Sequence, residues 1–245
     1  MEQAFKLMYE RLADFMMKNR DFDKASVILE AGCGMGQLTI PLVNRLRNIK
    51  ESFKIIAFDI SAVPYEGDLE ILRKRIMKEK LKEFITPMKG NVRNMKAIDD
   101  ANVDLIVSNE LFCELNRNGL EQALKEFYRI LKPNGQMAHG ELSPIPENEA
   151  QKLVVQANAH SLETMEPKLE WFSPYSDEIA VLMHKIGFKN LVVKYFETNL
   201  KMDFDTAIRK LGEWKTDPVF IEEHLNDLQR YGLEYPIEHV IFCEK

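Results

Sequence analysis

The stretch Val27-Ile28-Leu29-Glu30-Ala31-Gly32-Cys33-Gly34-Met35-Gly36-Gln37-Leu38 decides how this chain is read. An apolar run climbs to a carboxylate, breaks into glycines at alternate positions, and resumes with a helical pattern. Glycine removes the Cβ that blocks close approach to the main chain and permits positive φ where a loop reverses. A buried strand opening through such a loop into a helix is built to bring backbone against a ligand. Any strand-to-helix turn can use two glycines, but a third at this spacing, after a carboxylate, exceeds what a turn needs.

Outward from the loop, the chain alternates strand and helix patterns, which is the mark of a mostly parallel sheet covered on both faces. Upstream, Phe5, Met8, Leu12 and Phe15 predict an amphipathic opening helix. Residues 26–31 read as a buried strand and 37–48 as a helix. Further strands are expected at 54–58, ending on Asp59, at 85–89, ending on Gly90-Asn91-Val92, and at 103–107, ending on Ser108-Asn109-Glu110. A charged helix is expected over 68–84. Leu120, Ala123, Leu124, Phe127 and Leu131 mark a helix face that Pro133-Asn134-Gly135 stops before a strand over 136–141. Ile179, Leu182, Met183 and Ile186 form a helix closed by Gly187, followed by strands at 189–196 and 237–243.

Two segments break the alternation. Residues 143–175 and 199–235 read as helical insertions, with apolar faces at Ala150, Leu153, Ala157 and at Phe204, Ile208, Leu211. With the opening region 1–24 they are expected to cap the carboxyl ends of the strands, where ligands bind in open α/β sheets, rather than only to thicken the core. The whole of 1–245 is expected to be a single domain.

A G-x-G-x-x-G dinucleotide fingerprint needs glycine at position 37, where Gln37 stands, and this disfavours a nicotinamide cofactor. The spacing is E-x-G-x-G-x-G, from Glu30 to Gly36, and it resembles the first motif of class I S-adenosylmethionine (SAM)-dependent methyltransferases. SAM has no phosphate, so the resemblance implies a loop that admits a nucleoside and a zwitterionic amino acid, with Glu30 beside the ligand's ammonium and Gly32, Gly34 and Gly36 clearing its path. Asp59, ending the second strand, is suited to accept hydrogen bonds from both ribose hydroxyls, although such a residue can also cap the next helix. Ile60 would lie against the adenine. Asn91 and Val92 match the pattern in which a side chain and the next backbone N–H meet the adenine edge, while Asn in a Gly-Asn turn is also an ordinary turn residue. Leu131-Lys132-Pro133-Asn134-Gly135 and the Gly187-Phe188 turn are similar to the same family. The likeness covers about residues 25–198 and the terminal strand. It implies seven strands in the order 3-2-1-4-5-7-6, the last antiparallel, with SAM as cofactor across strands one and two and Asn109 also at its site.

The acceptor would then approach the ends of strands four and five. Glu110 and His139 are the candidate catalytic residues, and Glu110, Glu114, Glu141 and Tyr175 the candidate substrate contacts. Asn109-Glu110-Leu111-Phe112 lacks the N-P-P-Y pattern of enzymes that methylate base amines. Glu110 and Glu114 are similar to the acidic pair of protein arginine methyltransferases, at shorter spacing and without that family's threonine-histidine-tryptophan signature. Glu114 also reads as a solvated loop carboxylate, and His139 as a satisfied core histidine. Trp171-Phe172-Ser173-Pro174-Tyr175 can line a pocket or anchor the first insertion. The expected function is methyl transfer to a small molecule. The alternatives are a protein side chain such as arginine, or a non-catalytic SAM-fold subunit that binds a partner protein.

Composition sets the outer bounds. The net charge of −6 disfavours a nucleic-acid partner, since non-specific affinity for phosphates comes from Lys and Arg. The basic run Arg73–Lys82 is interrupted by Glu79 and fits a solvated helix face. Cys33, Cys113 and Cys243 are widely spaced and read as reduced thiols of a cytoplasmic protein. The five histidines show no metal-ligand spacing, and no apolar run is long enough to span a membrane.

Overall fold

The computed structural model of the chain describes residues 2–62, 65–164, 174–214 and 216–245. Its strands are β1 (Val27–Ala31), β2 (Lys54–Asp59), β3 (Ile85–Lys89), β4 (Val103–Asn109), β5 (Leu131–Leu142), β6 (Lys189–Phe196), β7 (Lys201–Met202), β8 (Leu233–Glu234) and β9 (Glu238–Glu244). The helices are α1 (Glu2–Lys18), α2 (Thr39–Leu46), α3 (Asp68–Lys78), α4 (Arg117–Ile130), α5 (Glu149–Thr164), α6 (Ser176–Ile186), α7 (Phe204–Glu213), α8 (Pro218–Glu223) and α9 (Leu225–Tyr231).

Seven strands form one sheet in the order β3-β2-β1-β4-β5-β9-β6. The pairs from β3 through β5 are parallel, and β9 runs antiparallel between β5 and β6. This is the expected order 3-2-1-4-5-7-6. The last large strand becomes β9 only because β7 and β8 pair as a separate two-stranded sheet within the second insertion.

Residue alternation builds a core on each face. Ile28, Ala57, Leu105 and Val107 point into one core with Leu12 of α1, Leu42 of α2 and Leu72 of α3. Their neighbours Leu29, Phe58 and Ile106 point into the other, with Phe127 of α4 and Met183 of α6. Burial on both faces explains why β1, β2 and β4 read as near-continuous apolar runs rather than as alternating ones. The registers place Glu30 opposite Ala57 and Val107, and Asn109 opposite Gly140, so the strand ends that matter converge at one edge of the sheet.

Three boundaries differ from expectation. α3 ends at Lys78 rather than running to 84, because Lys80 at φ +57 reverses the chain. α2 is confined to Thr39–Leu46, since the glycine loop occupies the residues before it. β5 begins at Leu131, not 136, because Leu131 pairs with Val103 before the irregular Pro133-Asn134-Gly135 turn, where Asn134 takes φ +62. In the insertions, α5 buries Leu153, Val154 and Ala157 and packs on β8 and α9, while α7 packs on α9 and buries Ala207 and Leu211. Trp171, Phe172 and Ser173 lie outside the described residues. Among the described residues, no helix is long and apolar enough to cross a membrane.

Candidate functional site at the carboxyl ends of the strands

The loop after β1 takes a shape that only glycine adopts without strain. Gly32, Gly34 and Gly36 have φ of +72, +49 and +82, and a Cβ on Gly36 would lie 2.5 Å from Leu72 Cδ1 on α3. The Gly32 and Cys33 amides donate to the Phe58 carbonyl at 2.9 and 3.2 Å, which latches the loop to the end of β2. Asp59 completes the latch. Its Oδ2 accepts from the Gly34 amide at 2.9 Å and its Oδ1 from the Ser61 amide at 2.7 Å. Each carboxylate oxygen has a second lone pair, so acceptor capacity remains. This organising role between two loops is not visible in the sequence, where the two partners lie far from Asp59 or look like ordinary loop positions.

Glu30 is 3% exposed and its Oε2 meets no hydrogen bond among the described residues. Burial, with the Asp59 charge adding to it, pushes its carboxyl up to about 8. A buried carboxylate with a free oxygen beside an open glycine loop fits a ligand carrying an ammonium group, as SAM does. Burial and the same two carboxylates drive the Cys33 thiol upward, so it is a packing residue and not a nucleophile. On the far side, Ile60 is 41% exposed and Val92 is buried. The Asn91 Oδ1 accepts from the Arg93 amide at 2.9 Å and from its Nε at 3.2 Å, the ordinary turn role. The Phe58 ring packs against the Gly90 backbone, where a Cβ would come within 2.8 Å of it.

The ends of β4, β5 and β9 make the other half. Glu110 takes φ +46, a conformation rare for a residue with a side chain, and its amide donates to the Gly140 carbonyl at 2.9 Å. Ser108 Oγ lies 2.8 Å from His139 Nδ1, and His139 Nε2 lies 3.2 Å from Glu141 Oε2. Because an ionised Glu141 only accepts, the network assigns the proton to Nε2 and leaves Nδ1 to accept from Ser108. His139 is fully buried with its ring stacked 3.5 Å from that of Phe112. Both ring nitrogens are committed, so the satisfied core histidine describes it, and a general-base role has no geometry to support it. Glu141 also accepts from the Phe112 and Cys113 amides at 3.1 and 3.3 Å, holding the 3-10 turn Phe112–Glu114 against the sheet.

Glu114 is not a solvated loop carboxylate. It is half-buried and accepts from the Tyr65 hydroxyl at 2.6 Å. Burial lifts its carboxyl to about 7, with the Glu141 charge adding and the Tyr65 hydroxyl opposing. Burial lifts Glu110 to about 7 as well, with Glu141 and Glu114 adding and Lys210 of α7 opposing. Glu238, the first residue of β9, is fully buried, and neither carboxylate oxygen meets a hydrogen bond among the described residues. Burial and the charges of Glu110 and Glu141 drive it well above its ordinary value, partly offset by the Asn109 amide alongside. That amide is likewise without a well-formed hydrogen bond. Gly140 is what admits the two together, since a Cβ there would fall 2.8 Å from Glu238 Oε2 and closer still to Asn109 Oδ1. Tyr9 of α1, half-buried, and the buried Tyr235 feel the charges of Glu110 and Glu238, which help desolvation push both phenols upward. Tyr175 lies apart: it precedes α6, is 48% exposed, and its amide donates to Glu178 Oε2 at 3.4 Å.

Sequence reasoning brought Glu110, Glu114 and Glu141 into one place but missed Glu238, Tyr9, Tyr65 and Tyr235. Glu238 opens a strand that begins and ends on glutamate, and the sequence does not mark it as the buried one. Only the antiparallel insertion of β9 beside β5 carries it inward.

Residues 28–135 match the family described as a methyltransferase domain. A curated relative, the demethylmenaquinone methyltransferase of Symbiobacterium thermophilum, is 31% identical over 108 residues, covering 44% of this chain and 39% of that protein. The chain spans about two fifths of the length of the curated relatives it matches first. Among solved structures, the YcgJ protein of Bacillus subtilis superposes with a TM-score of 0.69 at 15% identity, covering 95% of this chain and 97% of that one. A SAM-dependent methyltransferase of Archaeoglobus fulgidus superposes with a TM-score of 0.61 at 16% identity, covering 98% and 94%. The sheet order and the glycine loop agree with these likenesses: the chain shares the fold of these structures, and its residues 28–135 are similar to a methyltransferase domain.

Proposed function

We propose that the chain transfers a methyl group from SAM to a small-molecule acceptor seated where β4, β5 and β9 end. The observation that carries the reading is the pairing of a left-handed glycine loop with a buried, half-unpartnered Glu30 and an Asp59 that organises both neighbouring loops. Glu30, Gly32, Gly34, Gly36, Asp59, Ile60, Asn91, Val92 and Asn109 would hold the cofactor, which supplies an electrophilic methyl group on a sulfonium. This chain's own part is largely to fix the acceptor in line and to keep water away, since orientation alone can account for much of such a rate. Glu110 stands at the strand end nearest that role, with a carboxyl near 7 that can hold or accept a proton under physiological conditions.

The preference for a small acceptor rests on enclosure. Tyr9 on α1 and Tyr235 after β8 flank the carboxylates, and the second insertion contributes Lys210 to the same side. The opening helix with segments 143–175 and 199–235 would act as the cap over this space. Incubation with methyl-labelled SAM and a size-fractionated cell extract tests the reading. Label recovered in the low-mass fraction is expected, and label recovered only in protein would replace the small molecule by a protein side chain.

A further inference from the structure

The proposed acceptor space is dominated by one sign of charge. Glu110 and Glu114 come from the segment after β4, Glu141 from β5 and Glu238 from β9, while Lys210 is the cation that acts on Glu110. Lys210 has its own carboxylate, with its Nζ 3.1 Å from Glu213 Oε2, and it packs over the rings of Phe5 and Trp214. Glu141 is satisfied by two backbone amides and His139, and Glu114 by Tyr65. Glu238 is different: it is fully buried, neither oxygen meets a well-formed hydrogen bond among the described residues, and its Oε2 sits over Gly140 with the Asn109 side-chain amide alongside. Buried carboxylates are almost always paired or hydrogen-bonded, so an orphan of this kind marks a place for a missing donor.

We propose that Glu238 and Glu110, flanked by Tyr9 and Tyr235, form a subsite for the ammonium group of the acceptor, so that the substrate is an organic amine. This rests on the methyl-transfer reading above and names its substrate class. Two carboxylates supply charge-assisted acceptors for an ammonium group. The same field excludes an anionic acceptor. An ammonium has no lone pair to offer, so it must lose one proton before its nitrogen can bond to carbon. Glu110 is placed to take it: an N–H bond breaks with its electron pair left on nitrogen, an O–H bond forms on the carboxylate, and the proton later leaves to solvent. The N–C bond would then form as the methyl group's C–S bond breaks, its electron pair staying on the departing sulfur.

The groups facing Glu110 set the pH behaviour. Glu114, Glu141 and Glu238 favour its protonated form, and Lys210 opposes them. With Glu110 near 7, amine affinity should rise as pH increases through that value, while an aliphatic ammonium keeps its own charge.

The test uses three isosteric probes, benzylamine, benzyl alcohol and benzoate, titrated calorimetrically into the full chain with and without S-adenosylhomocysteine. Benzylamine should bind at least ~10-fold more tightly than the alcohol, with benzoate weakest, and its binding near neutral pH should release protons. Glu238→Gln keeps the volume and removes the charge. It should lower benzylamine affinity ~10-fold or more while S-adenosylhomocysteine affinity stays within about twofold. A thermal melt checks that the variant folds, and Glu110→Gln provides the same comparison at the second carboxylate. Equal affinity for amine and alcohol, no amine binding, or unchanged selectivity in both folded variants would overturn the proposal. Failure of S-adenosylhomocysteine to bind wild type, with amine selectivity intact, would overturn the methyl-transfer reading and leave the cation subsite standing.

Discussion

Asp59 performs two duties with one carboxylate. Its oxygens hold the amides of Gly34 and Ser61, fixing the two loops, and on the proposed reading their remaining lone pairs would accept from ribose hydroxyls. Asp59→Ala should therefore weaken SAM binding by ~2–4 kcal/mol, because each charge-assisted hydrogen bond is worth ~1.5–3. It should also lower the melting temperature of the ligand-free chain, since two backbone donors lose their acceptor. Calorimetry on the folded variant decides the first point, and affinity within about twofold of wild type would remove the ribose role. The expectation of a ribose contact came from a local pattern, a carboxylate ending the second strand. The loop-bridging role was not legible in the sequence, because it depends on an amide 25 positions away. The same distinction explains His139. Its position on the fifth strand could be read, but its commitment to Ser108 and Glu141 arises from the register that sets Ser108 opposite His139.

At the scale of elements, the central strands and α4 were legible because their apolar periods are long and their caps are chemically plain. Asn116 caps α4 by accepting from the Gly119 amide at 2.7 Å, and Leu120, Ala123, Leu124 and Phe127 form its buried face. Element ends were less legible where a non-glycine residue turns left-handed, as Lys80 and Asn134 do. The insertions were recognised as helical, but β7 and β8 are two-residue strands with no periodic signal, and their pairing is tertiary. If α1 and the segments 143–175 and 199–235 form a cap, hydrogen exchange in α1, α5 and α7 should slow when S-adenosylhomocysteine is added. Protection confined to Gly32–Gln37 would make them ordinary packing elements.

Across the whole molecule, several carboxyls are held protonated by burial. Glu30 is raised to about 8, Glu110 and Glu114 to about 7, and Glu238 is also raised, all against an unfolded value of 4.5. Between pH 4.5 and about 8 the folded chain thus binds more protons than the unfolded chain, and its stability falls as pH rises through that window. Asp104 and Glu126 run the other way, but carboxyls held low deliver their stabilisation above their unfolded values, so they add little slope there. The ligand-free chain should melt several degrees higher near pH 5 than near pH 8, since ~1 kcal/mol moves the midpoint of a chain this size by about 2–4 °C. Glu238→Gln should shrink that difference by stabilising the chain at the alkaline end. A midpoint that rises with pH across the window would contradict the assignment. None of this was legible from composition: the net charge of −6 is spread along the chain, and only the fold gathers four glutamates at one edge.

The central claim is that the glycine loop and its carboxylates are built for SAM and not for a nicotinamide dinucleotide. Parallel calorimetric titration of the full chain with S-adenosylhomocysteine and with NAD tests it most directly. The account predicts saturable one-to-one binding of S-adenosylhomocysteine and no measurable heat from NAD. Saturable binding of NAD with none of S-adenosylhomocysteine would contradict it.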